Sequence, residues 1–257
     1  TASDDYTVTT GDLPEDLPVP ELVRIEETGL DPDSVYLYTS INEQTGGWNG
    51  GDDFWQVILD RKGRVVWAME PNHHWTIFVR ISYDGDDLMW DDATEWVFSA
   101  DTDGQVHRMK IDGTIVESYE TPGLHHAWTE LADGTIAWGA VDWTDETLET
   151  LAPDGTRETV WRCSDFEEEA VGASYYCQSN TLFWHEETDT FLYSFYTSNT
   201  VVHIDHATGR SLNWWGEISD WDFDPASSHF TWQHGPHFLD NGNLLLSTQL
   251  TEENPYY

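Results

Sequence analysis

A block that begins with a polar residue and continues with a β-rich segment, a turn and a second β-rich segment occurs four times in this chain of 257 residues. The polar residues that begin the blocks are His74, His126, Gln178 and His234, which are 52, 52 and 56 residues apart. A repeat of about 50 residues is the length of one four-stranded propeller blade. A β-sandwich does not require equivalent residues at equal spacing, so the repeat favours a propeller.

The turns inside the blocks keep the same phase. Gly85, Gly134 and Gly242 occupy one turn position, and Asp189 occupies that position in the third block. A second turn, which precedes a strand, recurs at Gly63, Gly113, Gly155 and Gly209. Glycine is typical of such turns because it adopts positive φ without steric cost.

The segments between the turns are rich in Val, Ile, Tyr, Phe, Trp and Thr, and none has a helical period. The sequence therefore predicts an all-β chain, with a β-propeller of four-stranded blades over residues 35–257 and about four blades in this chain. Residues 1–34, which are acidic and contain prolines, are predicted to be a leader or linker. The last block ends after its second strand. Either N-terminal strands complete a closed four-bladed ring or blades are missing, and we favour a propeller that is incomplete at the C-terminus.

Charge and cysteine content restrict the partners and the compartment. Ten Lys and Arg against 49 Asp and Glu give a net charge of −39, which excludes nucleic acid and anionic membranes as partners and favours association with salt or Ca²⁺. No apolar run is long enough to insert in a bilayer. Cys163 and Cys177 are the two cysteines. They predict one disulfide and an extracytoplasmic (periplasmic, secreted or cell-surface) location, with two free buried thiols as the alternative.

In a propeller, the innermost strand of every blade lines a central channel. Polar residues at the start of these strands therefore converge, although they are about 50 residues apart in sequence. This geometry predicts that His74, His126, Gln178 and His234 share one pocket. The alternative is that each histidine only bonds neighbouring backbone or acidic groups.

Four segments resemble bacterial arylsulfotransferases in order and spacing: HHAWTELADGTIAW, SNTLFWHEETDTFLYS, HIDHATGRSLNWWGE and FTWQHGPHFLDNGNLLLS. The resemblance covers roughly residues 35–250. It implies a six-bladed propeller that transfers a sulfuryl group from a phenolic sulfate to a phenol. It also implies a sulfated histidine as the intermediate, with no nucleotide sulfate donor, no cofactor and no metal.

The resemblance assigns catalytic roles to three residues. His234 matches the histidine of the Gln-His motif and would be the nucleophile. His126 would help to hold the sulfate, and Asn180 matches the asparagine of the His-x-Asn-Ser motif. A neutral imidazole is the required nucleophile, and histidine supplies one near pH 7.

Other positions of the expected substrate site depart from the family pattern. Gln178 stands where the family has histidine, Thr181 where it has serine, and Tyr196 where it has arginine. Because three sulfuryl oxygens carry charge in the transition state, neutral donors at two of these positions weaken the expected stabilisation. Arg80, six residues after His74, is the candidate replacement cation, and both are assigned to substrate binding.

Two other functions fit the same pattern. His74, His126 and His234 could instead bind iron or another first-row metal, although Gln178 would break a fourfold set. Alternatively, the propeller could bind a ligand or a protein without catalysis, using aromatic side chains that stack on phenols or sugars.

Overall fold

The computed structural model describes residues 12–18, 35–42, 54–69, 78–92, 103–141, 145–166, 177–219 and 221–248. In these ranges the chain forms seventeen β-strands in five antiparallel sheets and one single-turn α-helix. No helix in these ranges has the length and apolar character needed to cross a membrane.

The strands of each sheet follow one another in sequence. The first sheet contains β1 (Tyr36–Asn42), β2 (Phe54–Asp60) and β3 (Val65–Met69). The second contains β4 (Val79–Ile81), β5 (Leu88–Asp92), β6 (Gln105–Met109) and β7 (Ile115–Glu120). The third contains β8 (Leu124–Glu130), β9 (Ile136–Val141), β10 (Glu146–Leu151) and β11 (Arg157–Arg162), and α1 (Cys163–Phe166) follows it.

The fourth sheet contains β12 (Ser179–His185), β13 (Thr190–Phe195), β14 (Thr200–Asp205) and β15 (Ser211–Gly216). The fifth contains β16 (His234–Phe238) and β17 (Leu244–Ser247). Short 3₁₀ turns span Glu186–Thr188 and Ala226–Ser228.

The first strands of successive sheets lie side by side. β1 contacts β4, β8 contacts β12, and β12 contacts β16. Sheets arranged in this way, with their first strands innermost, form a β-propeller. The seventeen described strands correspond to about four blades, so the predicted fold class is confirmed.

The turn that closes the first hairpin of a blade has the backbone that its sequence predicts. Gly85, Gly134 and Gly242 have φ of 80°, 85° and 81°. Asp189 has φ of 49° at the same position. Aspartate tolerates this left-handed conformation better than most non-glycine residues. The one block without glycine therefore uses a residue that preserves the turn.

Aromatic side chains fill the space between the third and fourth blades. Trp161 lies 5.7 Å from Phe195 in a stacked arrangement and 5.7 Å from Tyr193 edge to face, measured between ring centroids. All three are buried. Cys163 and Cys177 form a disulfide beside this cluster, as the sequence predicts, and join the start of α1 to the segment that precedes β12.

Part of the segment predicted to be a leader packs on the first sheet. Leu17 is buried against Trp55 and Val57 of β2. The contact is apolar, and it fixes the position of residues 12–18 on the blade.

Candidate functional site

The first residues of β12 hold the main chain around His234. Asn180 donates from its side-chain amide to the carbonyl of Gln233 at 2.5 Å. The hydroxyl of Thr181 accepts a hydrogen bond from the Gly235 N–H at 3.2 Å. The residues before and after His234 are therefore both fixed by the neighbouring inner strand. This brings three of the sequence-predicted residues together.

The side chain of Gln233 strengthens this anchor from the other side. Its buried amide nitrogen lies 3.0 Å from the hydroxyl of Ser194 and from the carbonyls of Phe195 and Thr200, which share its two N–H donors. A buried amide with three acceptors has one favoured orientation. The Gln-His pair therefore joins a rigid backbone anchor to an exposed imidazole.

His234 itself has the protonation pattern of a nucleophilic imidazole. Its Nδ1 lies 3.0 Å from the carbonyl of Trp232. Since a carbonyl only accepts, Nδ1 carries the hydrogen, and the lone pair of the neutral ring is on Nε2. Desolvation by the surrounding protein lowers the pKa of His234 below its usual range, against the opposing effect of the Trp232 hydrogen bond. The ring is therefore neutral at pH 7.

Gln178 and Tyr196, which stand where the resemblance implies histidine and arginine, are neighbours. The main-chain N–H of Tyr196 donates to the carbonyl of Gln178 at 3.1 Å. Gln178 is buried and Tyr196 is half-buried. The two neutral residues therefore occupy the same place, at the entrance to β12 and the end of β13.

Arg80 connects three inner strands. From β4, it donates to the hydroxyl of Thr129 at 3.2 Å and to the carbonyl of Leu182 at 3.0 Å. Its guanidinium also lies over the ring of Trp128, 5.5 Å from the centroid. Desolvation lowers the pKa of Arg80 to about 10, with Asp91 opposing the effect, so the group is charged at neutral pH.

Arg80 also approaches the segment that contains His234. Leu182, whose carbonyl binds Arg80, follows Thr181, whose hydroxyl binds Gly235. The cation and the His234 segment therefore contact consecutive residues of β12. Arg80 is the member of the predicted site that links this segment to the centre of the propeller.

A cavity of about 670 Å³ lies at the other end of the inner strands. Its lining includes the last residue of β4, β8, β12 and β16: Ile81, Glu130, His185 and Phe238. His234 and Asn180 lie instead at the beginnings of their strands. Arg80 is the member of the predicted site that lines this cavity, as far as the structure describes the chain.

Two predicted residues cannot be placed. His74 lies outside the described residues, and the same is true of the side chain of His126. The preceding residue, His125, is buried, and its Nδ1 lies 3.3 Å from the carbonyl of Ser179 in the next inner strand. Burial lowers the pKa of His125 to about 4, so this ring is neutral and joins two blades.

A buried carboxyl group near this position was not predicted. Glu146, at the start of β10, accepts hydrogen bonds from the Ser179 N–H at 3.0 Å and from the Tyr193 hydroxyl at 2.5 Å. Burial raises the pKa of Glu146 to about 7, although both hydrogen bonds oppose this shift. No equivalent residue recurs at the spacing of the blocks, so the sequence did not indicate Glu146. Its role follows from the packing of the third blade on the fourth.

A second group absent from the sequence prediction lines the cavity. The Nδ1 of His185 lies 2.8 Å from the hydroxyl of Thr188, which lies 2.8 Å from the hydroxyl of Thr190. That hydroxyl lies 2.9 Å from the Nε2 of His203. Hydrogen bonds thus connect two imidazoles through two threonines, on strands that pair only in the folded blade.

No group of three or more His, Cys, Asp and Glu side chains within the described ranges has the arrangement needed to hold a metal ion. Because two of the three histidines of the metal hypothesis lack described side chains, the iron-enzyme alternative stays untested.

No protein-family model matches this chain, and no curated protein matches it. Similar solved structures include a protein of unknown function from Bacteroides thetaiotaomicron, with a TM-score of 0.51 and 9% identity over 84% of this chain and 53% of that one. A streptogramin B lyase has a TM-score of 0.47 and 13% identity, over 87% and 72% of the two chains. A protein of unknown function from Bacteroides caccae has a TM-score of 0.47 and 15% identity, over 86% and 72%.

At these identities the similarity concerns the fold alone. None of the three names mentions sulfuryl transfer, and a propeller supports many unrelated activities. The activity of this chain therefore depends on the chemistry of its site.

Proposed function

We propose that this propeller transfers a sulfuryl group from a phenolic sulfate to a phenol through His234. The observation that carries the proposal is the state of this imidazole. Its Nδ1–H is bound to a backbone carbonyl, its ring is neutral and exposed, and its two flanking residues are held by Asn180 and Thr181. An oriented neutral nucleophile is the first requirement of covalent group transfer.

The proposed reaction has two steps. In the first, the lone pair of His234 Nε2 forms an N–S bond while the S–O(aryl) bond breaks, and the phenolate leaves with the bonding electrons and takes a proton from water. In the second, the oxygen of the acceptor phenol attacks sulfur, the N–S bond breaks and returns its electron pair to Nε2, and the phenol proton passes to water.

Asn180 and Thr181 are positioning residues in this proposal because their side chains contact the main chain around His234. Arg80 supplies positive charge beside this segment and compensates for the neutral residues at 178 and 196. Charge developing on sulfuryl oxygens requires such fixed donors. The disulfide supports an oxidising, extracytoplasmic compartment for this activity.

The test uses 4-nitrophenyl sulfate as donor and an excess of phenol as acceptor. We expect nitrophenol release that depends on the protein, and a peptide containing His234 that gains the mass of one SO₃ group when phenol is omitted. His234→Ala should lower the rate by about 10³-fold or more, because it removes the nucleophile. His229→Ala is the matched control and should retain the rate. Turnover that is equal in wild type and His234→Ala would refute the proposal.

Ligand binding without transfer is the second candidate. The observation in its favour is that the 670 Å³ cavity lies at the end of the inner strands opposite to His234, so a ligand in the cavity would not contact this imidazole. In that case the protein releases no nitrophenol, and a ligand bound in the cavity persists unchanged.

A further inference from the structure

The cavity at the ends of the inner strands combines a charged base with aromatic walls. Arg80 lies at the base, and Phe183, Trp184 and Phe238 contribute rings to the lining. A volume of about 670 Å³ is in the range of pockets that hold small organic ligands. Of the residues that line it, Arg80 is the one that the proposed transfer at His234 also uses.

The guanidinium of Arg80 has unused hydrogen-bonding capacity. It carries five N–H donors, and its hydrogen bonds to Thr129 and Leu182 use two of them. Both acceptors are neutral. Within the described part of the chain, Arg108 and Arg64 are instead bound to carboxylates, so Arg80 differs from them in keeping its charge uncompensated by an ion pair.

Buried Asp91 favours the charged form of Arg80 through its electrostatic field, but no carboxylate in the described ranges forms an ion pair with this guanidinium. Glu130 is engaged, since it accepts from Arg108 Nη1 at 3.2 Å and from the Tyr83 N–H at 2.5 Å. Glu186, Glu187 and Asp240 also line the cavity and are exposed, and Glu186 accepts a hydrogen bond from the Tyr83 hydroxyl at 2.6 Å. Water and salt screen exposed charges strongly, whereas a half-buried guanidinium interacts with a ligand at short range in a lower dielectric.

The opposite wall is aromatic. The rings of His185 and His203 lie 5.3 Å and 5.2 Å from the ring of Phe238. Burial, together with the nearby His185, lowers the pKa of His203 below its usual range, so this ring is neutral at pH 7. A planar ring can stack against this wall while its substituent reaches the base of the cavity.

We propose that this cavity binds a small aromatic oxyanion, with the ring between Phe183 and Phe238 and the anionic oxygens on Arg80. A carboxylate and a sulfonate satisfy the same guanidinium donors, the first with planar geometry and the second with tetrahedral geometry. The inference is independent of sulfuryl transfer, because the site needs no reaction at His234.

The experiment compares four one-ring probes by calorimetry with the whole protein in about 0.5 M salt, where the long-range repulsion of a chain of charge −39 is screened. Benzoate and benzenesulfonate should bind at least about tenfold more tightly than neutral benzamide, since a charged hydrogen bond is lost in benzamide. The tighter of the two anions identifies the preferred oxyanion geometry. Benzamide binding as tightly as both anions, or benzylamine binding more tightly than they do, would overturn the proposal.

Variants locate the site. Arg80→Gln should weaken the affinity for both anions about tenfold or more and leave the affinity for benzamide unchanged. Arg64→Gln, which removes an exposed guanidinium, should leave all three affinities unchanged. If Arg80→Gln does not fold, Phe238→Ala should still weaken benzoate severalfold by removing one wall. His234→Ala should bind benzoate as wild type does, so loss of transfer and loss of this site are measured separately. Full benzoate affinity in a folded Arg80→Gln protein would exclude Arg80 as the anion ligand.

Discussion

The side-chain amide of Asn180 donates a hydrogen bond to the main-chain carbonyl of Gln233 at 2.5 Å, and this contact joins the inner strands of two blades next to His234. The two residues are 53 positions apart, about one repeat. A polar residue at the start of one inner strand thus holds the start of the next. The motifs around residues 180 and 234 are therefore in direct contact in the folded chain.

Replacing Asn180 tests whether this contact sets the His234 segment. Asn180→Ala should lower the free energy of unfolding by about 1–3 kcal/mol, because the Gln233 carbonyl loses a buried donor. Asn180→Asp, which is nearly isosteric, should cost more, since it places a carboxylate oxygen against that carbonyl. Urea denaturation measures both, and Asn243→Ala, at an exposed turn, is the control. An Asn180→Asp protein as stable as wild type would contradict this account of the contact.

The close packing of Gly139 against Tyr193 provides a second prediction. A Cβ atom at position 139 would lie 2.2 Å from the Tyr193 hydroxyl oxygen and 2.8 Å from the Ser179 hydroxyl oxygen. Gly139→Ala should therefore cost about 1–3 kcal/mol through overpacking. In a Tyr193→Phe background the hydroxyl is absent, and the same substitution should cost less. A double-mutant cycle in urea measures the coupling, and strictly additive effects would contradict it.

Two buried groups should give opposite pH dependences. The pKa of His125 is about 4 in the folded protein, below its ordinary value of 6.5. The unfolded chain therefore binds a proton between pH 6.5 and 4 that the folded chain does not, and stability falls as pH falls through this window. The pKa of Glu146 is about 7, above its ordinary value of 4.5. Here the folded chain binds the extra proton, so stability rises as pH falls from 7 to 4.5.

Removing one group should expose the effect of the other. As the pH falls from 7 to 5, the free energy of unfolding of Glu146→Gln should fall relative to wild type by an amount on the order of 2–3 kcal/mol. Over the same range, the free energy of unfolding of His125→Gln should rise relative to wild type. The measurement is the free energy of unfolding in urea at both pH values. The two variants serve as reciprocal controls, and deviations in the same direction would show that these pKa shifts do not govern the acid range.

The disulfide should contribute a measurable part of the stability. Cys163 and Cys177 are 14 residues apart, and a closed loop of this length corresponds to about 3 kcal/mol. The free energy of unfolding of the Cys163→Ser, Cys177→Ser double variant should be lower by about 3 kcal/mol, which appears as a lower urea midpoint. Reductant should shift wild type to the same midpoint and leave the double variant unchanged. A reductant effect on the double variant would mean that the loss has another cause.

The repeat and its turns were predictable because their causes are local. The sequence places glycine at 85, 134 and 242, and the backbone there has positive φ, while Asp189 uses its tolerance of the same conformation. The strands between the turns were predictable from their residue types and from the alternation of neighbouring side chains. The cysteine pair was predictable for a similar reason, since the two residues are close in sequence.

The site was only partly predictable. The equal spacing of the blocks predicts that Gln178 and His234 lie at the same end of neighbouring inner strands. In the structure, Asn180 and Thr181 at that end contact the main chain on either side of His234. The spacing did not reveal that these two side chains bind backbone, or that the cavity lies at the opposite end of the strands. It also gave no sign of Glu146 beside Tyr193, or of the threonines that connect His185 with His203.

The sequence by itself determined the blade length, the turn positions and the all-β class, since turn geometry and strand propensity act between residues close in the chain. The tertiary structure alone decided where Arg80 reaches, which carboxyl group is buried, and which end of the channel holds a cavity. Those features depend on how far one blade rotates against the next. That rotation is set by many side chains from separate blades packing together, and no short segment specifies it.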